Sequence, residues 1–459
     1  MADDDLHRTW LHSDRFLPTR FLRPVLRFAQ VEAAGGLVLL AAAVGALLWA
    51  NLPGGESYER FWGTRFDVTL GPLALHENLR GIVDHGLMTL FFFVVGLEIK
   101  REMVRGELRD PRTAALPVLA AAGGMLFPAL IYLAFVGGGE AIRGWGVPVA
   151  TDIAFSLGVL SLLGRRVPVG ARLFLLTLAI ADDIGGIAVI ALAYTDDLAG
   201  WWLLGAAAAL AAVWAGSRVG VRSLAFYLAA AFASWLCLLE SGIHPTVGGV
   251  ALALLTPAAA FYRDEEYRDR ARRILAGHEA AAAAPFGVER LDEDALTLAA
   301  VARESVAPLD RLERALHPWT SFLVVPLFAL ANSGVRFTGT DFAAAATHPV
   351  TLGVAVGLVA GKMAGVSIFT WLAVRLGWGR LPRGTGWHQV LGVAAVAGVG
   401  FTVALFIVGL AFTDPALADR AKLGIFAGSL LAGVLGYLLL RLSPAVPQER
   451  GAVADRPPA

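Results

Sequence analysis

Four ionisable residues lie in stretches that otherwise have nothing to offer water: Asp152 in "GVPVATDIAFSLGVL", Asp182 and Asp183 in "LTLAIADDIGGIAVIAL", and Lys362 in "GLVAGKMAGVSIF". Three carboxylates against one amine leave two negative charges in excess if all ionise, which low-dielectric surroundings do not tolerate. Protons or a small bound cation must meet that excess. Hard oxygen ligands suit an alkali cation better than a soft metal, and with Cys237 the single cysteine no Cys/His cluster offers a transition-metal site. A structural pairing that merely holds helices together is the competing reading, and it fits Lys362 better than the adjacent acids. Neighbours on a helix point about 100° apart, so Asp182 and Asp183 need different partners. One faces an ion-accessible cavity and the other a neighbouring helix, where Lys362 is the candidate partner; such groups titrate as a coupled set.

The elements that carry these residues are membrane spans. Hydrophobic residues make up 57% of the chain and charged residues 17%, with a mean hydropathy of +0.64, beyond the roughly 45–50% apolar content of soluble domains. Formal charge is zero, with 38 basic and 38 acidic residues, so nothing points to nucleic acid or an acidic partner. Residues 1–30 carry charges from Asp3 to Arg27 without an apolar h-region, so the first span is expected to act as the insertion signal.

Apolar runs broken by charged or Gly/Pro-rich joints predict about twelve spans in an all-α, polytopic fold. They fall near 32–51, 81–101, 113–136, 144–163, 171–194, 201–217, 223–239, 244–257, 317–334, 348–374, 386–412 and 420–441. The domain reading follows: a cytoplasmic segment 1–30, eight helices over 31–257, a polar stretch 258–316, four helices over 317–441, and a tail 442–459. Joints rich in Lys and Arg, such as Lys100 to Arg112 and Arg375 to Arg383, share a side with both termini, which the positive-inside rule makes cytoplasmic. The stretch 258–316 reads as surface helices beside the membrane or as a solvated linker; both remain open.

Two spans carry interruptions. Pro148 removes a backbone donor just before Thr151 and Asp152, so that span is expected to unwind there; Gly398 and Gly400, next to Thr402, mark the middle of "VLGVAAVAGVGFTVALFIVGL". Paired broken segments in two halves of a chain point to a transporter's midplane site, although Gly also serves ordinary helix packing. The flanking spans make two triplets that start from opposite sides, hence two inverted three-helix repeats whose broken helices cross at the midplane.

The segments "FFFVVGLEIKREMVRGEL", "PVATDIAFSLGVLSLLGRRVP", "LAIADDIGGIAVIALAYTDDL", "SGIHPTVGGV", "LHPWTSFLVVPLFALANSGV" and "LPRGTGWHQVLGVAAVAGVGFTVALFI" together resemble NhaA-type bacterial sodium/proton antiporters, in the family's order and over most of Glu32 to Tyr437. The broken-helix rule was drawn partly from this family, so agreement with it is not independent support. The resemblance implies an electrogenic Na+(Li+)/H+ antiporter of the bacterial inner membrane, a secondary transporter and not an enzyme, without a cofactor. Asp183 is then the principal ion and proton carboxylate, with Asp182 its neighbour, both holding sodium, and Asp182 the ion-pair partner of Lys362. Asp152 and Thr151 sit where an acid compensates facing helix N-termini, and Lys362 balances facing C-terminal ends. Glu98, Lys100, Arg101 and Glu102, with Glu313 and His317, match a cytoplasmic pH-sensing region, and His244 a histidine linked to pH response. "EIKRE" is equally an ordinary positive-inside boundary, and His244 beside Pro245 equally a helix cap. Asp84 and His85 stand where the family has an Asn-Asp pair, which moves the carboxylate about 100° round the helix. A homodimer is among the assemblies left open.

Two rivals use membrane carboxylates differently. An intramembrane aspartyl protease needs two that converge on one water, and the adjacent pair diverges, leaving Asp152 with Asp183. A sodium-coupled organic anion transporter of the same architecture needs a larger polar cavity.

Overall fold

A chain dissolved in lipid must satisfy its own backbone polar groups, and long apolar runs do so by forming helices. The computed structural model describes residues 34–70, 73–195, 198–221, 223–282, 288–336 and 342–443. Residues 1–30 and the tail beyond 443 lie outside the described residues, as do Asp196, Asp197 and Arg222. In chain order the elements are α1 (Ala34–Asn51), α2 (Glu56–Trp62), β1 (Arg65–Leu70), β2 (Leu73–Asn78), α3 (Leu79–Arg105), α4 (Pro111–Val136), a 3-10 segment (Glu140–Val149), α5 (Ile153–Leu163), α6 (Val169–Ala193), α7 (Gly200–Val219), α8 (Leu224–Leu239), α9 (Thr246–Leu255), α10 (Asp264–Ala282), α11 (Val288–Glu304), α12 (Pro308–Asn332), α13 (Phe342–Ala346), α14 (Pro349–Arg375), α15 (Trp387–Val396), α16 (Phe401–Ala411) and α17 (Pro415–Leu442).

Among the described residues nine helices are long and apolar enough to cross a membrane, and α15 with α16, bent by 46°, makes a tenth. This is a multi-pass membrane protein. The remaining two of the twelve expected spans are the shorter α8 and α9. Ten residues in α9 reach only about 15 Å at 1.5 Å per residue, half of the hydrocarbon thickness. Helix α12 begins at Pro308 and not near 317, because Pro308 opens a helix whose first turns are still polar. Residues 258–316 hold the two helices α10 and α11. The hairpin β1–β2, with Arg65 opposite Asn78 and Leu70 opposite Leu73, was not expected in an all-α reading.

Caps mark the helix starts. Asp110 and Asp414 each accept a backbone N–H two residues on, with Pro111 and Pro415 at the first helical position. The described helices gather into two compact units. One lies within Met1–Met88, Glu107–Asp196 and Thr320–Ala459, the other within Thr89–Gly106 and Asp197–Trp319. These units cut across the linear division into 31–257 and 317–441, because broken segments distant in sequence pack on each other in the first unit.

Within that first unit, small residues let backbones meet. A Cβ on Gly123 would stand 2.4 Å from the Gly365 carbonyl, and one on Gly361 2.8 Å from Pro128 Cα, so α4 and α14 touch along a glycine seam on both sides of Lys362. Just before Lys362, Gly357–Gly361 widens into a π-turn, a local irregularity often found at functional sites. An apolar core of Leu116, Phe174, Leu178, Val366, Val393 and their neighbours packs beside the seam.

Candidate ion site

The 3-10 segment ends at Val149, Ala150 and Asp152 are extended, and α5 starts at Ile153. In the partner span α15 ends at Val396 and α16 starts at Phe401. The two breaks touch. The Asp152 amide donates to the Val399 carbonyl at 2.7 Å, and a Cβ on Gly400 would stand 2.9 Å from the Ala150 carbonyl. At Gly398 it would stand 2.2 Å from the Leu358 carbonyl, so glycine is required where α14 also approaches. The interruptions expected at Pro148, Gly398 and Gly400 are therefore one structural feature.

Asp152 ties two helix N-termini together. Its Oδ1 accepts from the Phe155 amide at 2.9 Å, capping α5. Its Oδ2 accepts from the amide of Thr402 at 3.1 Å and from its hydroxyl at 2.5 Å, at the first turn of α16. Each helix start presents roughly half a positive charge, so one carboxylate between two starts is close to neutralised. Asp152 thus stands between two helix N-termini, where the resemblance expects an acid.

Lys362 is fully buried and donates to Asp182 Oδ2, and to Thr151 Oγ1 at 3.0 Å. Thr151 Oγ1 lies 2.6 Å from Asp182 Oδ2 and 2.8 Å from the Ala397 carbonyl. A hydroxyl has one proton, so it can serve only one of those acceptors at a time. The lysine thus reaches the C-terminal end of α15 through Thr151; among the described residues it bonds Thr151 and Asp182 and not the helix carbonyls themselves. Asp182 Oδ1 is buried and has no hydrogen-bond partner among the described residues. Asp183, on the same turn of α6, is also buried.

Hydroxyls that sequence reasoning passed over complete the setting. Ser156 donates to the Val396 carbonyl at 3.2 Å, and Ser429 on α17 accepts the Gly400 amide at 3.3 Å. Neither could have been singled out, since serine in an apolar span is common. Asp84 accepts from Asn332 Nδ2 at 2.7 Å, and His85 pairs with Glu77 at 2.9 Å. In this chain the displaced carboxylate thus has its own amide partner.

The second unit holds the residues matched to pH sensing. Arg101 pairs with Glu313 and lies 3.9 Å from Glu102. Glu98 is within electrostatic reach of Arg101, Glu102 and Glu313, and His317 within reach of Glu313. Arg105 bonds Asp310 at 2.7 Å. Lys100 is turned elsewhere, donating to the carbonyls of Leu254, at 2.7 Å, and Thr256, where it caps the end of α9. His244 Nδ1 lies 2.8 Å from Thr246 Oγ1 and takes the Thr246 amide at 3.4 Å, the cap geometry at the start of α9.

Comparison with known proteins points to one family. The family model described as Na+/H+ antiporter 1 matches residues 26–440. Na(+)/H(+) antiporter NhaA 2 of Sorangium cellulosum is 45% identical over 453 residues, covering 97% of this chain and 96% of its own length. Na(+)/H(+) antiporter NhaA of Anaeromyxobacter sp. is 48% identical over 430 residues, covering 93% and 92%, and that of Rhodopirellula baltica 44% over 423 residues, covering 92% and 94%. With breaks that meet at Asp152 and a buried Lys362–Asp182 pair inside a match of that extent, the chain belongs to the NhaA-type Na+/H+ antiporter family.

Proposed function

We propose that this protein exchanges Na+ or Li+ for protons at Asp182 and Asp183, and that the two species compete for the same carboxylates. The observation that carries the reading is the dry contact of Lys362, Asp182 and Thr151 beside the meeting of two helix breaks. Asp182 Oδ1 is a buried oxygen with no donor, so a cation or a proton is the natural occupant. Among the four buried ionisable groups, Lys362 offsets one carboxylate and the two helix starts offset Asp152. One negative charge is then left, which one alkali cation balances; two protons, one on each carboxylate of α6, displace it.

Proton binding to the carboxylates releases Lys362 from Asp182 and expels the cation; deprotonation readmits it. Thr151 can follow the change, giving its proton to Asp182 when that group is ionised and to the Ala397 carbonyl when it is not. This links the charge state of the site to the end of α15, the kind of two-state element that alternating access needs. More protons entering than sodium ions leaving would make exchange electrogenic. Residence in the inner membrane with both termini cytoplasmic, and pH regulation through Glu98, Arg101, Glu102, Glu313 and His317, belong to the same proposal.

In proteoliposomes holding an acid-inside ΔpH, added Na+ or Li+ should dissipate it, and a K+ diffusion potential should change the rate. Insensitivity to potential would reject electrogenicity, and no response to either cation would reject exchange itself.

A further inference from the structure

The first unit holds a cavity of about 850 Å³ between α4, α6 and the turn after α14, open on one side. Leu116, Leu173 and Phe174 give it apolar walls, and Arg112, Arg380 and Glu107 line it as well. It is set apart from the proposed ion site. Its α6 wall runs from Leu173 to Thr177, and Asp182 and Asp183 lie about 140° and 120° away round the helix, in opposite senses. An alkali cation is far too small for such a volume, which suits a ligand of tens of atoms. Two guanidinium groups and one carboxylate leave one positive charge at the wall.

We propose that this cavity holds the headgroup of an anionic phospholipid, its phosphodiester between Arg112 and Arg380. Arginine pairs with phosphate through two parallel N–H donors, and basic pockets between spans on the cytoplasmic side are sites of headgroup recognition. Both arginines are exposed, at the same end of the unit as Arg375 and Arg383, the end that the positive-inside rule assigns to the cytoplasmic leaflet. Leu173, 38% exposed at the cavity wall, offers an apolar surface on which acyl chains can lie. Trp378, 58% exposed at the cavity wall, is the residue type of the headgroup layer. A wall with a single net positive charge matches a phosphodiester monoanion, whereas inorganic phosphate at neutral pH is a mixture of monoanion and dianion and has no acyl chains to lay on the apolar wall.

Native mass spectrometry on the detergent-purified full chain tests this, titrating phosphatidylglycerol, phosphatidylethanolamine and inorganic phosphate separately. Phosphatidylglycerol should bind as a preferred single adduct, and R112Q/R380Q should weaken it about thirtyfold, each arginine near the surface contributing about fivefold. R375Q removes a charge that lies over Trp371 and does not line the cavity, so it should leave the adduct intact. The proposal is overturned if phosphatidylethanolamine binds equally, if inorganic phosphate displaces the lipid, or if R112Q/R380Q binds as tightly as the parent. It also fails if R375Q loses the adduct to the same extent. The readout needs no transport, so it stands apart from the exchange mechanism.

Discussion

The two units contain ion pairs of the same chemistry in opposite surroundings. Lys362 and Asp182 have fully buried side chains, while the side chain of Arg101, paired with Glu313, is 39% exposed. Water reaches the Arg101 guanidinium of the second pair though little of Glu313, whereas among the described residues the first pair has Thr151, the Ala397 carbonyl and its own partner to rely on. Identical pairs should therefore do different work: the dry one couples charge to structure, and the wet one tunes with pH and salt.

The largest effect tests the dry pair. Lys362→Ala strands a carboxylate in the interior and should destabilise the protein by about 3–5 kcal/mol, seen by thermal unfolding in detergent; the double variant K362M/D182N should recover most of that loss. Equal stability of the K362A variant and the parent would remove the contrast between the units. Next comes the Asp152 tie. Thr402→Ala deletes one charge-assisted hydrogen bond and should cost about 1.5–3 kcal/mol by the same measurement, with exchange reduced.

Arg101→Gln should cost about 1–2 kcal/mol, less than the loss of a fully buried charge, because the guanidinium is partly exposed while its partner Glu313 is largely buried. It removes a fixed positive charge facing Glu98, Glu102 and Glu313, so the activity profile of proteoliposome exchange should move to the alkaline side, less at high salt. An unmoved profile would leave "EIKRE" as an ordinary positive-inside boundary. Smallest is His348, which accepts the Val350 amide at 3.2 Å to cap α14 and lies 3.0 Å from Arg420. Burial and the Arg420 charge hold its imidazole below its ordinary value. The folded state therefore takes up this proton less readily than the unfolded chain. Stability is fully present above the ordinary histidine pKa of about 6.5 and declines as pH falls through it; His348→Gln should flatten that slope in unfolding scans from about pH 7.5 to about 5.5. If so, exposure and not membership of a unit decides how much a charge contributes.

Much of the site was legible because bilayers tolerate so few charges. Asp152, Asp182, Asp183 and Lys362 stood out for that reason alone; the angle between neighbouring residues on a helix required separate partners for the two acids, and the family resemblance chose Asp182 for Lys362. Glycine and proline marked both breaks. What stayed hidden depended on tertiary approach. Nothing in "EIKRE" said that Lys100 would turn to the end of α9 while Arg101 met Glu313 from a helix two hundred residues on. The hairpin β1–β2, the early start of α12 and the shortness of α9 were lost to a reading tuned to apolar length. The grouping of helices into two interleaved units depends on which broken segments meet, which chain order does not reveal.

The central claim is that exchange takes place on the buried carboxylates of α6, and Asp183→Asn tests it most directly in proteoliposomes carrying an imposed ΔpH. The parent protein should dissipate the gradient on addition of Na+ or Li+, with an apparent KM for Na+ that falls about tenfold per pH unit where one proton competes. The Asp183→Asn variant, folded and reconstituted to the same density, should show no cation-dependent dissipation. Parent-like rates with an unchanged pH dependence of KM would contradict the account.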